Sequence, residues 1–248
     1  MAQKVCLELE YDGSAYHGWQ RQREEPTVQA ALEGALRTIL REPVGVVGQG
    51  RTDAGVHAEA QTAHAQVPEG TDLDDLRKRL NGLLGPNCAV HRLVTVPEDF
   101  HARFSALSRT YRYQIVRRPA PLKRRTHWLV EGSLDLDRVH QALPLLRGEH
   151  DFGWFGRHSR EMDHTRCHVQ GFTLEGSGEL LTFRITANRF LHNMVRRLVG
   201  ELVELARGRW DRDDLTARID HPGPAEAGLT APAHGLFLER VAYPESIQ

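Results

Sequence analysis

The chain has 248 residues, 40% of them hydrophobic and 26% charged, a composition of folded globular proteins and not of disordered ones. At this length one or two domains bury roughly 70–75% of the surface an extended chain exposes, so no disulfide or metal staple is needed. The three cysteines, Cys6, Cys88 and Cys167, form no CxxC pair, no run of 18 apolar residues exists, and the N-terminus has no apolar leader core; the expectation is a cytoplasmic protein, neither secreted nor membrane-spanning.

Val5 to Tyr11 reads as a strand closed by Asp12-Gly13. Val28, Leu32, Ala35, Leu36 and Ile39 recur at helical spacing behind Thr27, a residue suited to an N-cap. Val44 to Gly48 is a short strand, and a loop with three glycines, Gly48, Gly50 and Gly55, leads to a further strand from Gln61 to Val67. Leu73, Leu76, Leu80 and Leu83 mark a second helix, with acids in its first turn and a stop at Gly85-Pro86. Ala89 to Val96 and Tyr111 to Val116 are strands. Leu136, Val139, Leu143 and Leu146 suggest a helix that Pro144 shortens or kinks. Val169 to Leu174 and Leu180 to Thr186 flank Glu175-Gly176-Ser177-Gly178 as a hairpin; Leu191 to Arg207 is the strongest helix, and Leu236 to Ala242 the last strand. Strands and helices mix without strict alternation, which favours α+β over a doubly wound sheet. The turn-rich basic stretch near residues 101–110 reads as the boundary between an N-terminal lobe, 1–105, and a C-terminal lobe, 106–248.

Net charge is −1, which by itself gives a polyanion no reason to bind. The charges are segregated, however. Phe100 to Val130 holds eight basic residues and no acid, and Leu180 to Gly200 holds four arginines and no acid. Such runs can build a basic face for nucleic acid. Aromatic residues interleave with them in Arg109-Thr110-Tyr111-Arg112-Tyr113, and again in Tyr16-His17-Gly18-Trp19-Gln20-Arg21-Gln22. Bases stack on such rings while arginine meets phosphate; a tyrosine pair on a strand also serves as ordinary core.

The loop Gly50-Arg51-Thr52-Asp53-Ala54-Gly55-Val56-His57 carries the strongest chemical signal. Its glycines let a ligand approach the backbone. If the segment is extended, Arg51 and Asp53 face the same side, and the cation favours an ionised carboxylate fit to act as nucleophile or base. An Asp in such a loop is also an ordinary turn residue. A hydrolase using Asp53 and His57 is a second chemical reading, though no GxSxG, HExxH, GxGxxG or GxxxxGK[ST] segment accompanies it. The grouping of His164 with Cys167-His168 lacks a metal-site spacing.

Taken together, these segments resemble the TruA-type tRNA pseudouridine synthases. The resemblance rests on Tyr11-Asp12-Gly13 with Gly18-Trp19-Gln20-Arg21-Gln22, on the Gly50–His57 loop, on Asp99-Phe100-His101-Ala102-Arg103-Phe104-Ser105-Ala106, on Tyr111-Arg112-Tyr113, on Asn188, Phe190, His192, Met194-Val195-Arg196 and Gly200, and on Gly235-Leu236. It implies two α/β lobes sharing a central, mainly antiparallel sheet with a basic cleft, and a homodimer that binds the anticodon stem-loop of tRNA. The implied reaction converts uridine at tRNA positions 38, 39 and 40 to pseudouridine with no cofactor and no metal. Asp53 is then the catalytic carboxylate, Tyr111 stacks on the uracil, Arg196 pairs with Asp53, Leu236 packs against the base, and Arg51 helps extrude it. A catalytically inactive RNA-binding protein on the same scaffold is the alternative. Three places depart from the expected pattern: Gly153-Trp154 stands for a smaller pair, Arg189 for a small residue, and Asn193 for a second histidine. In the Leu191–Arg207 helix, a period of roughly 100° per residue puts Arg196 at the edge of the apolar stripe and Arg197 on the polar face, towards water or phosphate.

Overall fold

A computed structural model describes residues 1–157, 164–221, 223 and 228–245. The chain divides into two compact units, Met1–Leu107 with Phe237–Gln248, and Ser108–Leu236. In the first, β1 (Ala2–Tyr11), α1 (Val28–Leu40), β2 (Val46–Gly48), β3 (His57–Pro68), α2 (Leu73–Leu84) and β4 (Cys88–Thr95) follow in order. Period-two burial fixes β1: Val5, Leu7, Leu9 and Tyr11 are all buried. It lies between β3 and β4, antiparallel to both, with Leu7 opposite Ala63 and Leu93. Thr27 caps α1 by accepting the amide of Ala30, and Asp72 caps α2 by accepting those of Asp74 and Asp75. Gly85, at φ 70°, closes α2 as its sequence foretells.

The second unit holds β5 (Ser108–Val116), β6 (Trp128–Leu129), α3 (Leu136–Ala142), β7 (Gly148–Asp151), β8 (Arg166–Glu175), β9 (Leu180–Ala187), α4 (Met194–Ala206) and α5 (Arg212–Asp220). Strands β5, β9, β8 and β7 pair antiparallel in that order. The α3 helix gives way to a 3₁₀ turn at Leu143, one residue before Pro144, as a missing amide requires. The last strand, β10 (Leu236–Ala242), begins in the second unit and returns to the first, where Phe237 and Leu238 pair in parallel with His57 and Ala58 of β3. Residues 237–248 therefore group with the N-terminal segment and not with residues 108–236. The chain is α+β and its strand pairs are mainly antiparallel, as expected. Among the described residues no helix is long and apolar enough to cross a membrane.

The sequence reading missed the short strands β6 and β7 and the helix α5, and it set the start of α4 three residues early. The α5 helix carries only two buried residues, Leu215 and Ile219, so its apolar period is too sparse to register; its start is set by a capping box between Asp211 and Asp214. The α4 helix starts at Met194 and not Leu191, because Asn193 takes a left-handed conformation, φ 64° and ψ 3°, that stops helix growth towards the N-terminus.

Candidate active site

The Gly50–His57 loop joins β2 to β3, and the fold grips it on both sides of Asp53. Thr52 turns inward: its hydroxyl hydrogen-bonds the Tyr11 hydroxyl at 2.7 Å, and Gln61 Nε2 donates to that same oxygen at 3.3 Å and to the carbonyl of Gly50 at 3.2 Å. The carbonyl of Thr52 accepts the amide of Trp19 at 3.0 Å, and Gly55 N–H donates to the carbonyl of Tyr16 at 3.4 Å. Val56 N–H closes a turn on the carbonyl of Asp53 at 3.1 Å. Asp53 is half-buried and Arg51 exposed, on either side of the buried Thr52.

The Tyr11-Asp12-Gly13 and Gly18-Trp19 segments form the bed of this loop. A Cβ on Gly13 would stand 2.1 Å from the carbonyl oxygen of Val56, and a Cβ on Gly18 would stand 2.7 Å from that of Thr52. Gly18 also takes φ +91°. Only glycine lets the two chain segments approach so closely. His57 belongs to this bed and not to a hydrolytic pair. Its ring is buried and stacked 4.6 Å from Phe237, and Nδ1 receives the Gly13 amide at 3.1 Å and lies 3.2 Å from an Asp12 carboxylate oxygen.

The other expected residues lie on the second unit. Tyr111, in β5, is half-buried with its ring edge-to-face with Phe190 at 5.0 Å. Tyr113, two positions on, is fully buried and donates to the carbonyl of Pro232 at 2.7 Å, so it belongs to the core. Arg196 Nε donates to the carbonyl of Ala231 at 2.8 Å, and Nη1 to the side-chain oxygen of Asn193 at 2.9 Å. Tyr113 and Arg196 thus both hold the 231–235 segment that delivers Leu236, itself buried, to the start of β10.

Arg197 corrects the exposure read from sequence, while its placement on one face with Glu201 and Glu204 stands. It is 9% exposed, and Glu201 and Glu204 beneath it are 8% exposed. Its guanidinium reaches the carbonyl of Trp154 at 3.5 Å. The face read as polar and wet is packed, and Arg196 is the one residue of α4 outside the buried set. Burial pushes the Glu201 carboxyl above the usual range, with Arg218, 3.2 Å away, pulling it back.

The three sequence departures have local reasons. Asn193 is a residue type that tolerates the left-handed backbone at the head of α4, and its side chain positions Arg196. Arg189 ties down the start of β8, donating to the carbonyls of Arg166 at 3.0 Å and His164 at 3.1 Å. Trp154 donates its indole N–H to the carbonyl of His221 at 2.7 Å and lies under the Arg218 guanidinium, which anchors the end of α5. His164 is engaged with Arg189, and Cys167 is buried. Among the described residues no three His, Cys, Asp or Glu side chains are grouped to hold a metal ion.

Comparison with known proteins bears on the whole chain. A family profile described as tRNA pseudouridine synthase matches residues 9–105 and 142–244. The chain is 40% identical over 249 residues to the tRNA pseudouridine synthase A of Porphyromonas gingivalis, with 98% of each chain covered. It is 41% identical over 242 residues to the protein of the same name from Beijerinckia indica, covering 96% of this chain and 93% of that one.

Proposed function

Because the chain belongs to the tRNA pseudouridine synthase family, we propose that it isomerises uridine to pseudouridine at positions 38, 39 and 40 in the anticodon stem-loop of tRNA, with Asp53 as the catalytic carboxylate. The observation that carries this assignment is the Asp53 loop itself, a family segment clamped from below by Tyr11, Gln61 and the Gly18 turn. A carboxylate on so constrained a backbone meets its target with little reorganisation, which is what positional catalysis requires.

The reaction breaks the N1–C1′ bond, forms C5–C1′, removes the proton from C5 and returns one to N1. Product and substrate are isomers, so the atoms balance without a cofactor or metal. Asp53 serves the sugar by attack on C1′ or by taking a proton from C2′; one carboxylate suffices for either route. Tyr111 stacks on the uracil and lies ready for the C5 proton, and its edge-to-face contact with Phe190 favours one ring orientation. Arg196 pairs with Asp53 and keeps it ionised. Leu236 packs against the base. Arg51 assists extrusion, because a stacked nucleotide hides its sugar and base atoms and unstacking costs a few kcal/mol.

The acid-free runs Phe100–Val130 and Leu180–Gly200 supply phosphate contacts in a basic cleft, and the enzyme acts as a homodimer in the cytoplasm. The free thiols Cys6, Cys88 and Cys167 suit a reducing compartment, and burial raises each to about 12, 12 and 11 respectively, which leaves them unreactive. The catalytically inactive alternative has no support, since the relatives carry the name of an enzyme. Mapping pseudouridine in treated tRNA by carbodiimide adducts and primer extension tests the site assignment. New stops at 38, 39 and 40 are expected; stops confined to another arm of the tRNA overturn it.

A further inference from the structure

Phe104 is 75% exposed, yet it stands on a turn of the first unit that is tied at several points. The turn begins in the core, where Phe100 and Ala102 are buried against Val96 and Tyr243. Tyr243 donates its hydroxyl to the carbonyl of Ala102 at 2.7 Å, and the amide of Ala102 donates to His64 Nδ1 at 3.1 Å. His101 and Ser105 lock the crest: Ser105 N–H donates to the carbonyl of His101 at 2.9 Å, and His101 N–H to the Ser105 hydroxyl at 3.0 Å. His101 Nδ1 accepts the amides of Arg103 at 3.2 Å and Phe104 at 3.4 Å. Its ring lies 4.4 Å from the Phe104 ring at an interplanar angle of 34°, and the Arg103 guanidinium stands 5.5 Å from that ring's centroid.

Nothing in the folding of the chain calls for this. A phenylalanine gains stability by leaving water, and this one stays in it, against the His101 ring. Loop tips are usually polar and loosely tied; this one presents a phenylalanine on a turn fixed by at least six hydrogen bonds between named partners. We propose that Phe104 is a nucleotide-stacking platform: its ring takes the face of an unpaired base of the tRNA, with the Arg103 guanidinium at its side for the base or the adjoining phosphate. This deepens the tRNA reading above and rests on it.

The surroundings favour RNA over a protein partner. An aromatic ring flanked by an arginine and a histidine is the usual chemistry of single-stranded base recognition. The turn also opens the Phe100–Val130 run of eight basic residues without an acid. A single phenylalanine buries at most about 150–250 Å², well short of the about 800 Å² a side of a stable protein interface, and Leu107, 56% exposed, is the one other exposed large apolar side chain between residues 84 and 121. A single base needs no larger area.

The test is equilibrium binding of unmodified tRNA to the wild-type protein and to F104W, F104L and F104A. Stacking of one base predicts that F104A and F104L both weaken binding by about 5- to 150-fold, that F104W stays within about threefold of wild type, and that the mass in solution without tRNA is the same for all four. The thermal midpoints of all four should agree, because the ring is exposed. Equal affinity in all four proteins overturns the platform, while wild-type pseudouridine formation leaves the functional reading standing. If F104L binds like wild type and F104A falls to a smaller species in solution, the ring meets a second copy of the chain and the proposal fails in that way. Absence of both tRNA binding and pseudouridine formation in the wild type would instead sink the functional reading.

Discussion

At φ +91°, with the Thr52 carbonyl 2.7 Å from where a Cβ would stand, Gly18 ties the Trp19 turn to the backbone that carries Asp53. Gly18→Ala adds one methyl at a left-handed position, a strain of about 1–3 kcal/mol before the clash is counted. The cheapest relief is for the Thr52–Asp53 peptide to move. We predict that Gly18→Ala lowers turnover at saturating tRNA by at least about tenfold while the protein stays folded at 25 °C; unchanged turnover in a folded variant would show that the loop is not held from this side. The importance of the Asp53 loop was legible in the sequence, because three glycines and two opposite charges within a few residues are a local pattern. Its bed was not. Tyr11 and Gly18 are remote from Asp53 in sequence, and the contact of Tyr11 with Thr52 and Gln61 depends on the antiparallel pairing of β1 with β3. His57 shows the same limit: a histidine beside an Asp reads as catalytic until its ring is found buried against Phe237.

Helix α4 shows what a periodic pattern carries and where it fails. Its existence, and the boundary at Ala206 to within one residue, followed from spacing alone. Its environment did not, because a hydrophobic stripe tells which side is buried only when the other side is wet. Here α3 packs beside it, Arg218 of α5 reaches Glu201, and Trp154 reaches Arg197, so the charged side is enclosed too. Arg197→Ala is therefore expected to destabilise the fold by about 1–3 kcal/mol, leaving buried polar groups without their partner, with little direct effect on tRNA affinity in the folded fraction. Arg196→Ala removes the residue that ties Asn193 to Ala231, and it should depress turnover more than stability. Urea denaturation beside steady-state kinetics on one tRNA separates the two; a stable Arg197→Ala protein with weakened tRNA binding would restore the solvent-facing assignment. The α5 helix stayed hidden because its signal is a cap and not a period.

For the whole molecule, charge matters by placement. With a net charge of −1, any strong attraction to tRNA has to come from the acid-free segments. The logarithm of the dissociation constant should then rise steeply with the logarithm of salt concentration; a flat dependence contradicts the basic-cleft proposal. Stability should depend on pH through histidines whose pKa the fold depresses, His64 and His127 foremost and His101 in the same direction. His64 is lowered to about 4, by burial first and then by His101 and Lys4, and His127 is lowered to about 4, by burial first and then by Lys123, Arg112 and His234. The unfolded chain takes up these protons near pH 6.5, so the stability both rings contribute is complete above that pH and is lost as pH falls from about 6.5 to about 4. The urea midpoint should drop across that window and drop less in His64→Gln; identical profiles for the two proteins would remove His64 from the account. The central claim is narrower: that Asp53 drives the isomerisation. Release of tritium from C5-labelled uridine in tRNA reports the proton that must leave C5, whichever route the sugar follows. The wild-type protein should release it, and Asp53→Asn, which keeps the shape and removes the charge, should release it more than about 10⁴-fold more slowly; near-normal release from a folded Asp53→Asn protein would contradict the account.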